Sequence, residues 1–447
     1  MLKNKNVKKE LITWLDGITE FCLCAFIFTL PFSKSMVEIF FTLALICWVA
    51  KRWIEYDSRF TVHGLRNASF RIKISTLIKA FKPVKTNLNL PITAFVFIGF
   101  LSTLTSVSFS LSLEGFFFKL FEWIMLYFIV AETINNKKKL NRLLIVMLAS
   151  MVLIGIDAIF QFLTGADFMR HYASMAYRLR ASFGNANSFA GWLVIMVPLV
   201  FCFAYFGINK WIVLPEKYNW IKKSIRPILW ITSALLIFCL ALTYTRGAWM
   251  GVILSLIFLG VFKSKKLLVF LLIALLAFSF IAPQRIKQRI SLTFQSSKTR
   301  ANLLDKTRYS LWHEALNIIK DFPLIGCGLN TYAIVAPDYK ITKKGGIYPH
   351  NSYLHMAAES GLLGLGTFIW IMITLFRTSL ANLKRIGHRF HSVILIGLLA
   401  GLFGFLAHSF VDTNIYTLQL GNLMWFIMGL IVAVQKVALK NGSEITG

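Results

Sequence analysis

Acidic residues are scarce: the 447-residue chain carries 19 Asp and Glu against 48 Lys and Arg, a formal net charge of +29. No Asp-x-Asp or paired-Asp motif of the kind that holds a divalent ion before a phosphate is present. No Cys/His spacing resembles a zinc site, so neither a metal nor any other cofactor is expected. Of the 6 cysteines, Cys22, Cys24, Cys47, Cys202 and Cys239 fall inside apolar runs, while Cys327 stands alone in a polar loop, which excludes a disulfide framework there. Internal repeats and low-complexity tracts are missing. No small-residue cleavage site closely follows the first apolar run, so the basic start with Lys3, Lys5, Lys8 and Lys9 is not expected to act as a cleavable signal peptide.

What dominates instead is apolar length. With 57% hydrophobic and 15% aromatic side chains and a mean hydropathy of +0.66, the chain exceeds the apolar share of ordinary soluble domains. A membrane span needs roughly twenty apolar residues. About twelve such runs occur, over 18–34, 36–52, 90–108, 116–134, 142–163, 188–206, 227–244, 247–262, 267–283, 353–376, 392–411 and 415–435. The expected fold is an all-α integral membrane protein of about twelve transmembrane helices, with a large, partly helical loop between the ninth and tenth. Residues 1–283 then form the first nine spans, 284–352 an external cap loop, and 353–447 the last three spans and a short tail.

Charge sets the orientation. A cytoplasmic N-terminus leaves most of the Lys and Arg inside, and the short outside loops nearly uncharged. The C-terminus is then also cytoplasmic. The positive balance reads as anchoring against anionic membrane lipid and not as nucleic-acid binding. The inside loop 51–89 is either a basic amphipathic helix on the inner leaflet or a solvated linker. Few acids lie outside, among them Glu114, Asp167, Asp305, Glu314, Asp321, Asp338, Glu359 and Asp412.

The external loop has order of its own. Asp305 can cap a helix in which Leu311, Trp312, Ala315, Leu316 and Ile319 recur at helical spacing until Pro323 stops it, with Arg308 and Trp312 on one face. Pro323 to Asn330 reads as a turn, Thr331 to Tyr339 as a short second element, and Lys343-Lys344-Gly345-Gly346 as a mobile tip. A loop this long with internal structure is usually functional.

Four elements carry a resemblance: Arg180-Ala181-Ser182-Phe183-Gly184-Asn185-Ala186-Asn187, Arg246-Gly247-Ala248-Trp249, the Arg308-to-Trp312 helix with Pro323-Leu324-Ile325-Gly326-Cys327-Gly328, and His350-Asn351-Ser352-Tyr353-Leu354 leading into Glu359-Ser360-Gly361-Leu362-Leu363-Gly364. Together they resemble the bacterial O-antigen ligase and polymerase superfamily, most densely over 180–365. The resemblance implies transfer of a glycan from undecaprenyl pyrophosphate to an acceptor hydroxyl at the periplasmic face of the inner membrane. In ligases the acceptor is a sugar of the lipid A core; in polymerases it is another lipid-linked unit. A twelve-span transporter is the non-enzyme alternative, which would call for related halves, broken helices or midplane charges, whereas the buried acids Glu122 and Asp157 are sparse and unpaired in the sequence.

The residue chemistry agrees with the resemblance. Breaking a sugar–pyrophosphate bond builds negative charge that arginine stabilises in a water-poor site. The acceptor hydroxyl needs a base, and imidazole titrates in the useful range. His350 is the candidate base, the alternative being a residue that caps the tenth helix with Asn351. Arg246, against a snorkelling helix-end role, and Arg308, against a solvated one, are the candidate catalytic cations. Arg180, in competition with Arg178 and Arg170, joins Asn187, Trp312, Asn351, Tyr353 and Glu359 as substrate-binding candidates. Asn187 alternatively caps the sixth span, Glu359 orients His350 or pairs an arginine, and Trp312 and Tyr353 either stack on sugars or sit in an aromatic belt. His355 is read as a packing or hydrogen-bonding residue.

Overall fold

A computed structural model describes residues 5–62, 81–174, 177–207, 219–269, 305–341, 346–386 and 389–443, with isolated positions between. Every regular element among them is helical, apart from a single antiparallel bridge between Ala166 and Ala173. In chain order they are α1 (Lys5–Thr29), α2 (Lys34–Val62), α3 (Asn89–Leu104), α4 (Phe109–Gly115), a π-helix (Phe116–Phe121), α5 (Glu122–Thr133), α6 (Lys137–Thr164), α7 (Ala186–Phe206), α8 (Asn219–Leu242) and α9 (Arg246–Phe262). Then follow α10 (Asp305–Asp321), α11 (Tyr332–Val335), a 3-10 turn (Ala336–Tyr339), α12 (Ser352–Arg385), α13 (Arg389–His408), a second 3-10 turn (Asn414–Tyr416) and α14 (Leu418–Ser443). Seven of the described helices are long and apolar enough to cross a membrane, and α3 and α9 are shorter apolar helices. The chain is a multi-pass membrane protein. Most of the expected ninth run, 267–283, much of the loop 51–89 and the Lys343-Lys344-Gly345 tip lie outside the described residues.

The centre of the bundle is α7, α13 and α14, whose side chains are almost all buried. With little hydrophobic drive between helices in lipid, close approach through small residues has to supply the packing. It does so here: a Cβ on Gly404 would meet Gly251 O at 2.4 Å, and one on Gly401 would meet Ile195 O at 2.3 Å, so α9 and α7 both lie backbone to backbone against α13. At one end, ion pairs tie the outer helices together: Lys51 to Asp16 at 2.7 Å, Arg142 to Glu20 at 2.7 Å, Lys139 to Asp16 and Arg52 to Glu132. The opposite end carries the 305–350 segment.

That segment is seated by a break in α12. Gly361 has φ 70° and ψ 179°, which interrupts the helical hydrogen bonding. Backbone groups at membrane depth must find partners inside the protein. The Pro323–Gly328 stretch provides them: Leu362 N and Leu363 N donate to Pro323 O and Leu324 O at 2.9 and 3.2 Å, while Cys327 N and Gly328 N donate to Ala358 O and Glu359 O at 2.9 and 3.1 Å. The stretch expected as a simple turn is thus a strap crossing the broken helix. Around it α10 and α11 form a small apolar core with Ala357 and Ala358 of α12, and burial there pushes the Cys327 thiol up to about 11. The helix expected to start at Asp305 and stop before Pro323 is α10.

The strap leaves no room for side chains at two glycines. A Cβ on Gly361 would fall 2.1 Å from Leu324 O, and one on Gly326, with φ 80°, 2.3 Å from the Glu359 carbonyl carbon. Gly361→Ala and Gly326→Ala should each destabilise the protein by at least about 1–3 kcal/mol from backbone strain alone. Gly366→Ala, whose Cβ meets nothing within 4 Å, should be neutral. Thermal midpoints of the detergent-solubilised variants test this, and an unaltered midpoint for Gly361→Ala would rule out the strap as a structural tie.

Candidate functional site

The site grows from the turn that follows α13. Ser352 N donates to Ser409 O at 2.9 Å and Ser352 Oγ to Asp412 O at 2.9 Å, so the start of α12 is bound to this turn. The Asn351 side chain accepts from Tyr353 N at 2.9 Å and Leu354 N at 3.1 Å, which makes it the cap of α12. Its carbonyl oxygen is therefore engaged in the fold and not turned to a ligand. Released from capping, His350 sits in the left-handed region at φ 47°, a conformation uncommon for a non-glycine residue and often met at functional sites. Its Nδ1 lies 3.3 Å from Asp412 Oδ1, and its side chain is 38% exposed.

Asp412 is the partner that the sequence did not single out. Burial opposes its charge, but the His350 hydrogen bond and the neighbouring imidazoles outweigh burial and hold the carboxyl below its ordinary 3.8. A carboxylate on Nδ1 favours the tautomer with its proton there, leaving Nε2 as the free acceptor. Glu359, considered as the group orienting His350, does something else: its Oε1 lies 3.2 Å from His355 Nε2 and accepts from Tyr332 N at 3.2 Å.

Arg246 opens α9 beside the same turn. A Cβ on Gly247 would lie 2.5 Å from Val411 Cγ2 and 2.9 Å from His408 Cδ2, so only a glycine lets the helix start approach so closely. Thr245 does not cap α9 with its side chain; its hydroxyl instead accepts from Arg178 Nη2 at 2.9 Å. A helix N-terminus adds partial positive charge to that of the arginines. Arg308, exposed near the start of α10, is close enough for its charge to bear on His408 at the end of α13. The fold thus brings the three proposed catalytic residues His350, Arg246 and Arg308 around the 408–412 turn.

Arg178 and Arg180, two of the three arginines of the 165–185 loop, make different contacts. Arg180 donates to Ala173 O at 2.9 Å and Gly184 O at 3.0 Å and lies 4.7 Å over the Tyr172 ring, so it braces its own loop. Arg178 is the one that reaches the α8–α9 turn, through Thr243 O at 2.8 Å and Thr245 Oγ1 at 2.9 Å, and it also donates to Asn187 Oδ1 of α7 at 2.6 Å. Asn187 does not cap the sixth run: Asn185 does, accepting from Ser188 N at 2.8 Å. The loop is shaped by buried side chains, with Asp157 accepting from Ser182 Oγ at 2.7 Å and Phe168 N at 3.1 Å, and Gln161 Oε1 from Arg180 N and Ala181 N at 2.9 Å. Asp157, isolated in the sequence, is thus a loop anchor.

The aromatics divide. Tyr353 donates to Leu406 O at 2.7 Å and packs 4.3 Å from Phe410, so hydroxyl and ring are both engaged inside the bundle. Trp312 is half-buried on α10 with an indole N–H that has no partner. Of the two, Trp312 alone has a polar group that the fold leaves without a partner.

Comparisons with known proteins bear on this geometry. A family described as O-antigen ligase matches residues 231–369, a segment that contains Arg246, Arg308, His350 and Glu359. The exopolysaccharide production protein ExoQ of Rhizobium meliloti (strain 1021) is 27% identical over 118 residues, 25% of this chain and 26% of that protein. The match thus spans about a quarter of that relative's length. Residues 231–369 of the chain are thus similar to the O-antigen ligase family, and a quarter of the chain is similar to ExoQ.

Proposed function

We propose that the protein is an O-antigen ligase, a glycosyltransferase that moves a glycan from undecaprenyl pyrophosphate to a sugar hydroxyl of the lipid A core at the periplasmic face of the bacterial inner membrane. The observation that carries this reading is the His350–Asp412 pair on the same turn against which Arg246 and the start of α9 pack. In the reaction, the acceptor oxygen attacks the anomeric carbon, the bond from that carbon to the phosphate oxygen breaks, and the electron pair leaves on the pyrophosphate. The hydroxyl proton passes to Nε2 of His350, and Asp412 stabilises the resulting imidazolium. Arg246, Arg178 and Arg308 meet the charge that develops on the leaving group, so the scheme needs no metal.

A repeat-unit polymerase of the same superfamily is the second reading, favoured by the likeness to a protein named for exopolysaccharide production. Both readings use the same donor chemistry and differ in the acceptor. Deleting the gene in the organism that carries it separates them. Loss of a ligase leaves full-length polymer on the carrier lipid and bare core, whereas loss of a polymerase leaves core bearing single repeat units. Unchanged surface glycan would defeat both.

At the level of residues, His350→Ala should lower turnover by roughly 10²–10⁴-fold with donor binding retained. Arg246→Ala should weaken both, by roughly 10²-fold or more in kcat/KM. Single-turnover assays in nanodiscs read the difference, and normal turnover in His350→Ala would remove it from the base role.

Asp412 also predicts an acid limit. Its folded pKa lies below the unfolded value of 3.8, so the stability that it contributes is complete above that value and is lost as pH falls through the folded one. Asp412→Asn should flatten this part of the acid unfolding curve. An identical curve for the variant would show that the pair adds nothing to stability.

A further inference from the structure

On the other side of the 408–416 stretch from α9 lies a groove that the transfer scheme does not use. It has two lobes, of about 190 and 210 Å³, which share Lys119, Asn330 and Tyr416 as lining residues. Ligand sites usually occupy roughly 300–1,000 Å³, so the lobes together reach the lower end of that range, the scale of one or two sugar rings and not of a polymer. One lobe is completed by Glu114, Glu122, Trp123 and Asn422, the other by Tyr348, His355, Glu359 and Thr413. Thr413 follows Asp412, the partner of His350, and Tyr348 lies two residues before His350, so the second lobe ends next to the proposed base.

Buried polar atoms in this groove lack partners. Asn422 is 1% exposed; its Nδ2 donates to Glu122 Oε1, and its Oδ1 has no donor. His355 is 2% exposed; Nε2 faces Glu359, and Nδ1 has no partner. An unpartnered buried polar atom is destabilising, and two of them on residues lining one groove point to a polar ligand that completes them. Lys119 reaches Asn330 Oδ1 at 2.6 Å from the π-helix, a helix form that recurs at functional sites.

The charge of the walls selects the ligand. Glu114, Glu122 and Glu359 line the groove with Lys119, so its lining residues lack the cluster of guanidinium groups found around the 408–412 turn. Acceptors, amides and one ammonium beside the rings of Trp123, Tyr348 and Tyr416 suit a neutral, hydroxyl-rich molecule, whose hydroxyls both donate and accept and whose C–H faces lie on aromatic rings. Phe118 of the π-helix lines the groove and is exposed, which suits a ligand that enters from the lipid.

We propose that this groove is a carbohydrate subsite that seats the sugar head of a lipid-anchored acceptor glycan, with its attacking hydroxyl toward His350. The acceptor role rests on the glycosyl-transfer reading above; the sugar site itself does not. The test is saturation-transfer NMR on the full-length protein in nanodiscs, with free glucose, galactose and N-acetylglucosamine as probes and inorganic phosphate for comparison. At least one neutral sugar should receive saturation from the wild type. Its affinity should fall roughly tenfold or more in Asn422→Ala and in Lys119→Met. Lys119 is partly exposed at the rim, so its variant remains readable if Asn422→Ala fails to fold. No transfer to any of the three sugars, or undiminished transfer in the folded groove variants, would overturn the proposal. Normal turnover in His350→Ala would instead strike at the catalytic reading and leave the sugar site standing.

Discussion

The break in α12 at Gly361 is the constraint from which the site end of the molecule follows. A helix interrupted inside a membrane protein exposes backbone donors and acceptors that lipid cannot satisfy. The 323–328 strap answers them with four backbone hydrogen bonds, from Leu362, Leu363, Cys327 and Gly328. Once the strap is fixed, α10 and α11 are held against α12, and Arg308 and Trp312 are carried to the end of the bundle where α12 begins. The same helix start is bound to the α13 turn through Ser352. His350 is therefore placed between two anchored elements, which explains how a backbone conformation unfavourable to a histidine persists there.

Electrostatics then separates this end of the bundle into two regions. On the α9 side, guanidinium groups and an uncapped helix N-terminus collect positive charge. On the α5 and α14 side, carboxylates and amides prevail. The 408–416 stretch runs between them, offering Asp412 to His350 on one side and Thr413 and Tyr416 to the groove on the other. Such a division fits the proposed transfer from an anionic donor to a neutral acceptor.

Buried polar side chains in this protein mostly shape loops. Asp157, Gln161 and Asp167 fold the 165–185 loop so that Arg178 reaches the α8–α9 turn. A guanidinium held by three acceptors, Thr243 O, Asn187 Oδ1 and Thr245 Oγ1, is fixed in place by the fold itself. Arg180, two residues away, spends its donors on its own loop.

Apolar run lengths and charge bias were enough to establish the membrane class, the helical fold and the polar investment near residues 284–352, because hydropathy and helical spacing are local properties of the chain. His350 and Arg246 could be named as candidates for the same reason, since candidacy depends on residue type. Partners were not. Asp412 lies 62 residues from His350, and the Glu359 carboxylate went to His355, one turn away on its own helix. Which contacts Arg178 and Arg180 make depends on the folded loop, and the groove is assembled from the π-helix, α5, α12, α14 and the 413–417 turn with Asn330. A buried polar group takes whichever partner packing brings within hydrogen-bond reach, and that is a property of three-dimensional contact which no stretch of sequence contains by itself.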